Sequence, residues 1–187
     1  MSSAPIHPSP FAIRQPWPTV ALHWFTVIAL MVSMAAVWGR EALDDKSQRA
    51  ALLTIHQQLG LAIWLALAAR LLVRAWLGRV NVQTGASWHL RAAAVLAHWS
   101  LYAALFVQPL FGWIMTNAHG HQVRLLGWIP LPQITEADPD LADMWADRHA
   151  AMAWVLGGLI TLHIAAALWH HFILRDGVLR SIMPARR

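Results

Sequence analysis

Residues 149–171 read HAAMAWVLGGLITLHIAAALWHH, a run with four histidines and no formal charge. Hydrocarbon offers a backbone no hydrogen-bonding partner but itself, and about 20 helical residues cross a bilayer. The stretch is therefore a membrane-crossing helix. His149 and His163 stand fourteen residues apart. At ~100° and ~1.5 Å per residue, the two imidazoles fall within roughly 40° of one face and ~21 Å apart along the axis. One rod thus carries a stacked pair of imidazoles, and the rest of the chain is read for their partners.

Working outward, three more apolar runs are long enough to span: residues 20–39, about 50–77 and about 92–115. The helix around 149–171 reads as 148–174. Residues 1–19 form a Pro- and Ser-rich tail without the marks of a signal peptide, where His7 is solvated. Residues 20–187 form one all-α membrane domain, an antiparallel four-helix bundle with a short basic tail. Pro109 and Gly112 predict a kink late in the third span. The connection 116–148 is long and acidic, and its GWIPLP segment is expected in the interface plane.

Composition agrees. Hydrophobic residues make up 58% and charged residues 12% of the 187, with twelve tryptophans, a residue type of membrane boundaries. The absence of cysteine excludes disulfides, iron–sulfur clusters, thiolate-ligated haem and c-type haem attachment. The net charge of +5 does not mark a nucleic-acid binder, because the basic residues lie at the ends of apolar runs. Nine Lys/Arg go with the N-terminal tail, the second connection and the C-terminal end, counting Arg70 and Arg74 there. The first and third connections carry five, against eight Asp/Glu. The positive-inside rule then predicts cytoplasmic termini and acidic loops outside.

With alternating spans, His56 and His149 share the outer level, and His23 and His163 the inner level. Each level holds two imidazoles from different helices, which suits a low-spin b-type haem held by axial bonds alone and leaves no position open for oxygen. The competing readings are isolated core histidines in a haem-free transporter or structural bundle, and a zinc site built from His23, His98, His163 and His170. The zinc reading leaves the outer pair unexplained and lacks Cys or carboxylate ligands. His170 lies two turns past His163 on nearly the same face and is a candidate for proton exchange with a quinone; an interfacial role is the alternative. His98 is a second inner-side extra, and His171 is a packing residue. Arg70 and Arg74 either snorkel to the interface or neutralise acidic groups of a cofactor. Gly60, Gly157 and Gly158 give a flat macrocycle room, or serve close helix packing. His89, His119 and His121 lie in connections, the last two as a weak surface metal pair.

The sequence resembles the bacterial cytochrome b561 family. The resemblance rests on LHW at 22–24, His56 with Gly60, AHWSLY at 97–102, PLFGW at 109–113, LHIAAALWHH at 162–171 and the RDGVLRSIMP ending at 175–184. It covers nearly all of residues 20–184. It implies a bacterial inner-membrane, four-helix protein with two b haems, His23 and His163 ligating the inner iron and His56 and His149 the outer. It implies lipid and ubiquinone as partners and electron transfer between ubiquinone and a periplasmic donor, either superoxide or a carrier protein. Two departures stand out. The segment RQPWPTVA before Leu22 lacks the family's tyrosine–serine start, and the outer loops sum to about −3, which repels an anionic substrate.

Overall fold

The structure, a computed structural model, describes residues 14–78 and 87–184. His7, Arg79 and the C-terminal Arg186 and Arg187 lie outside the described residues. Four helices are long and apolar enough to cross a membrane. They are Trp17–Glu41 (α1), Lys46–Leu77 (α2), Trp88–Ala118 (α3) and Pro139–Trp169 (α4), the last running on through a π turn at His170–Leu174. A short helix, Val178–Ile182 (α5), follows.

Helices α1, α2 and α4 begin at helix-start chemistry rather than where hydrophobicity begins. In α1, Pro16 precedes the first turn and Pro18 lies within it, where a missing N–H costs nothing. The carboxylate of Asp45 accepts from the amides of Ser47 (2.7 Å) and Gln48 (3.0 Å) at the start of α2. The largest departure from the sequence reading is α4. It starts at Pro139, nine residues before the expected 148. Asp138 caps it by accepting from the Leu141 amide at 3.0 Å, Pro139 opens it and Asp140 complements its dipole. Three acids assigned to a loop, Asp140, Asp143 and Asp147, are therefore on a helix that projects beyond the apolar run.

The remaining connection is ordered by a two-stranded antiparallel hairpin, Arg124–Leu125 (β1) with Ile129–Pro130 (β2). Leu126 (φ 55°) and Gly127 (φ 80°) turn it. The GWIPLP segment is thus half a hairpin. Asn117, fully buried, ties this loop to the end of α3. Its amide nitrogen donates to the His121 carbonyl (2.9 Å) and its oxygen accepts from the Ile134 amide (3.0 Å).

Packing divides the bundle into two hairpins. α1 lies along α2 and α3 along α4, whereas the hairpins meet more sparsely, through α2 and α3. On α1 the buried stripe is Thr26, Ala29, Ser33 and Ala36, small residues that let α2 approach closely. A single apolar layer joins all four helices: Ala29, Ile63, Leu67, Ala104, Leu105 and Leu156. Leu156 lies seven residues from His149 and seven from His163, so this layer separates the two histidine levels. The outward faces carry large apolar side chains such as Trp76 and Trp154, as lipid requires.

The two ends of the bundle differ. At one, here the terminal face, the Gln15 amide donates to the Ser181 carbonyl (3.0 Å) and Trp24 Nε1 to the Ile182 carbonyl (2.9 Å). These bonds fasten the start of α1 to α5. At the other, the hairpin face, Gln58 Nε2 donates to the Arg124 carbonyl at 2.7 Å, linking α2 to the β-hairpin.

Candidate functional site

At the level nearer the hairpin face, His56 of α2 meets His149 of α4 with ring centroids 6.0 Å apart and planes at 85°. Both rings are held through Nδ1. That atom of His56 lies 2.9 Å from Ser33 Oγ and 3.2 Å from the Ser33 carbonyl on α1. On His149 it donates to the Gln108 carbonyl on α3 at 3.0 Å. The approach to Gln108 depends on Gly112, one turn later. A Cβ there would lie 3.1 Å from His149 Cε1, so a larger residue would press the ring out of its present position. α3 remains helical through Pro109, whose missing N–H removes a bond from this same stretch of backbone.

At the level nearer the terminal face, His23 of α1 and His163 of α4 have centroids 6.4 Å apart and planes at 59°. Here a third ring joins. His98 of α3 stands 5.5 Å from His163, edge to face, with its Nδ1 donating to the Ala94 carbonyl at 2.6 Å. Arg70 lies 5.5 Å from the Tyr102 ring centre, and Arg74 lies over both Trp99 and Tyr102. Among the described residues neither arginine has a carboxylate partner, although Arg70 is largely withdrawn from solvent. A guanidinium placed so within a span calls for an anion.

Both pairs join the two hairpins: His56 and His23 come from α1 and α2, and His149 and His163 from α4. Two metal–imidazole bonds of roughly 2 Å each, with the reach from ring nitrogen to ring centre at both ends, make about 6 Å between centroids. Both observed separations match that span. Fixing Nδ1 on a carbonyl leaves Nε2 as the metal-facing nitrogen, the usual outer-shell arrangement of a ligating histidine. On His149, Nε2 is met at 3.1 Å by the Gln108 carboxamide nitrogen, and Gln108 Oε1 is buried without a partner. That side chain must turn for His149 to ligate iron, and its stranded oxygen marks the present arrangement as poorly satisfied. Gly60, one turn beyond His56 on its face, and Gly157 and Gly158 on α4 have nothing within 4 Å of an added Cβ. Close helix packing therefore does not explain them; Gly60 leaves open space beside His56, whereas Gly157 and Gly158 are exposed on the outer surface of α4.

The zinc reading fails. No group of three His, Cys, Asp or Glu among the described residues can hold a metal ion. His170 does not join the inner cluster but bonds Asp176 through Nδ1 at 2.5 Å. His119 donates through Nδ1 to the Met115 carbonyl, and no third His, Cys, Asp or Glu among the described residues joins it and His121 in a metal-binding group. Sequence reasoning missed Ser33, Gln108, Gly112 and Asp176. Ser33 and Gln108 were visible as polar residues inside apolar runs; nothing in the sequence says which histidine each would meet.

The family model of prokaryotic cytochrome b561 matches residues 14–185. The chain belongs to that family. It is accordingly a multi-pass bacterial membrane protein of electron transfer, an oxidoreductase whose cofactor class is b-type haem. The probable superoxide oxidase of Yersinia pestis is 26% identical over 168 residues, covering 90% of this chain and 94% of that protein. Cytochrome b561 homolog 1 of Escherichia coli K12 is 26% identical over 170 residues, covering 90% of this cytochrome b561 and 96% of its own length. Homolog 2 of the same organism is 28% identical over 171 residues, at 88% coverage of each.

Proposed function

We propose that this cytochrome b561 holds two b haems, one bridging His56 and His149 and the other His23 and His163, and passes electrons across the bilayer between an external one-electron donor and ubiquinone. The observation that supports this is the pair of imidazole couples, each spanning the two hairpins at a bis-ligand separation. Haem held by these histidines would supply a reversible one-electron centre. Arg70 and Arg74 would neutralise propionates at the inner level, which gives Arg70, without a carboxylate partner among the described residues, its anion.

The excess of Lys/Arg at the terminal face supports cytoplasmic termini and a periplasmic hairpin face. The donor proposed there is superoxide, on the strength of the Yersinia relative's name. Each superoxide gives one electron and leaves as dioxygen, whereas ubiquinone takes two electrons and two protons, so two one-electron centres match the stoichiometry. His170, near the terminal face, is the proposed proton donor to the quinone, with His98 the second candidate at that level. One observation favours a different donor. Glu41, Asp44, Asp45, Glu136, Asp138, Asp140, Asp143 and Asp147 are all exposed at the hairpin face, outnumbering its basic residues. That field repels superoxide and attracts a basic redox protein.

Stopped-flow mixing of the oxidised protein with superoxide, with ubiquinone reduction followed in parallel, tests the reading. Superoxide-driven reduction of both haem and quinone is expected. Reduction only by a basic carrier protein would replace superoxide as donor, and a colourless purified protein would end the redox assignment.

A further inference from the structure

The end of α4 carries a device that neither pair of candidate ligands uses. The α-helix gives way at His170 to a π turn, and Arg175 closes it in the left-handed region at φ 50°. The amides of Arg175 and Asp176 both donate to the His170 carbonyl, the latter at 3.2 Å. On a continuing α-helix a residue six positions on would be rotated by about 240° and raised by about 9 Å, out of reach. The π turn and the left-handed reversal instead bring Asp176 back to His170. Its Oδ2 lies 2.5 Å from His170 Nδ1, the one ion-pair contact among the described residues, and its Oδ1 accepts from the Val178 amide at 3.0 Å. The carboxylate is largely buried, with its side chain 11% exposed, and the imidazole is 23% exposed. π turns are rare and are often found at functional positions; this one closes α4.

We propose that Asp176 is the positioning residue for proton delivery to the quinone, fixing the His170 imidazole with Nδ1–H on the carboxylate and Nε2 turned to the substrate oxygen. This rests on the quinone reading above. With Nδ1–H engaged, an imidazolium stabilised by the carboxylate breaks its Nε2–H bond as an O–H bond forms on the nearer quinone carbonyl oxygen. The electrons come from the protein's two reduced centres. The neutral imidazole takes a fresh proton from water at the terminal face, and the far quinone oxygen takes its proton from water at headgroup level. Asp176 orients the ring and takes no part in the transfer itself, as a histidine-orienting carboxylate does.

The test uses the full-length holoprotein in detergent, reduced with stoichiometric dithionite and mixed with ubiquinone-1. Asp176→Asn keeps an oxygen for the Val178 amide but removes the charge from His170. It should slow the saturated rate of haem reoxidation about 10-fold or more, with little change in the quinone concentration at half-saturation and no change in haem content. Asp176→Glu should restore most of the rate. His170→Gln should slow reoxidation at least as much, and the double variant should be no slower than His170→Gln alone. Histidine ¹⁵N spectra should show the Nδ1–H form of His170 in the wild type and a redistribution in Asp176→Asn. An active wild type with an unaffected Asp176→Asn would overturn the positioning role alone. A reduced wild type that ubiquinone-1 does not reoxidise would overturn the quinone reading, and the role of Asp176 with it. Should Asp176→Asn fail to retain haem, Asp176→Glu and the wild-type ¹⁵N spectrum carry the test.

Discussion

The two histidine levels are built differently. At the level nearer the hairpin face, each ring is tied to a carbonyl of a third or fourth helix, Ser33 on α1 and Gln108 on α3. All four helices thus hold two imidazoles. At the other level no hydrogen bond fixes the ring of His23 or His163 among the described residues. The polar neighbours are a third imidazole, His98, and Arg70, which has no carboxylate partner among the described residues. The first level is preorganised by the backbone, and the second is left for a cofactor and its acidic groups to organise. A site oriented by carbonyls suits a fixed electron entry. A looser one beside exchangeable groups suits the end where protons are handled.

The largest effects should come from the ligands and should differ between levels. His56→Ala and His149→Ala should each lower the pyridine haemochrome count from about two per chain to about one. Among the described residues the only histidine ring beside either is the other of the pair. His23→Ala should cost the other haem. His163→Ala should be less complete, because His98 is 5.5 Å away and supplies a substitute imidazole. Equal, total losses in all four variants would erase the contrast.

Next in size is Gly112→Ala. The added Cβ meets His149 at 3.1 Å. Overpacking of this kind costs about 1–3 kcal/mol and should broaden or shift only the spectrum of the haem proposed between His56 and His149. Smaller still is Ser33→Ala, which removes the hydroxyl from His56 Nδ1 but leaves the Ser33 carbonyl at 3.2 Å. Loss of a partner on the far side of a ligand weakens ligation by about 10-fold when a second partner remains, read as a change in retention of the haem proposed at His56 and His149 during dilution.

Least of all, Asp45→Ala should lower thermal stability slightly and leave both haems intact. Bonds from the Ser47 hydroxyl and the Ser47 and Gln48 amides hold the Asp45 carboxyl below its usual range. A depressed carboxylate stabilises the fold above its unfolded value of about 3.9 and loses that stabilisation as pH falls through the folded value. The difference between Asp45→Ala and wild type should therefore vanish only in strong acid.

The fold was legible where hydrophobicity decides it. Four apolar runs gave four spans, and alternation of the spans was enough to set His56 at the depth of His149 and His23 at that of His163. The early start of α4 was written in a different code. Asp138, Pro139 and Asp140 are helix-start chemistry, yet PDLADMWADR reads as a loop to anyone following apolarity, because this part of α4 has no lipid to face. The carbonyl bonds of Ser33 and Gln108 could not be read at all. They depend on how far each helix is rotated about its axis, and sequence spacing fixes relative angles within a helix, not between helices. The Asp176 contact was hidden for a related reason: an α-helical reading places residue 176 far from residue 170, and only the π turn reverses that.

The account depends on each imidazole pair clamping one iron between the two helical hairpins. Low-temperature electron paramagnetic resonance of the four single His→Ala proteins tests this most directly, since two bis-imidazole haems give two separable low-spin signals. His56→Ala and His149→Ala should abolish the same signal and leave the other, which His23→Ala should abolish in turn. If His56→Ala and His149→Ala instead removed different signals, the pairing across the hairpins would be wrong.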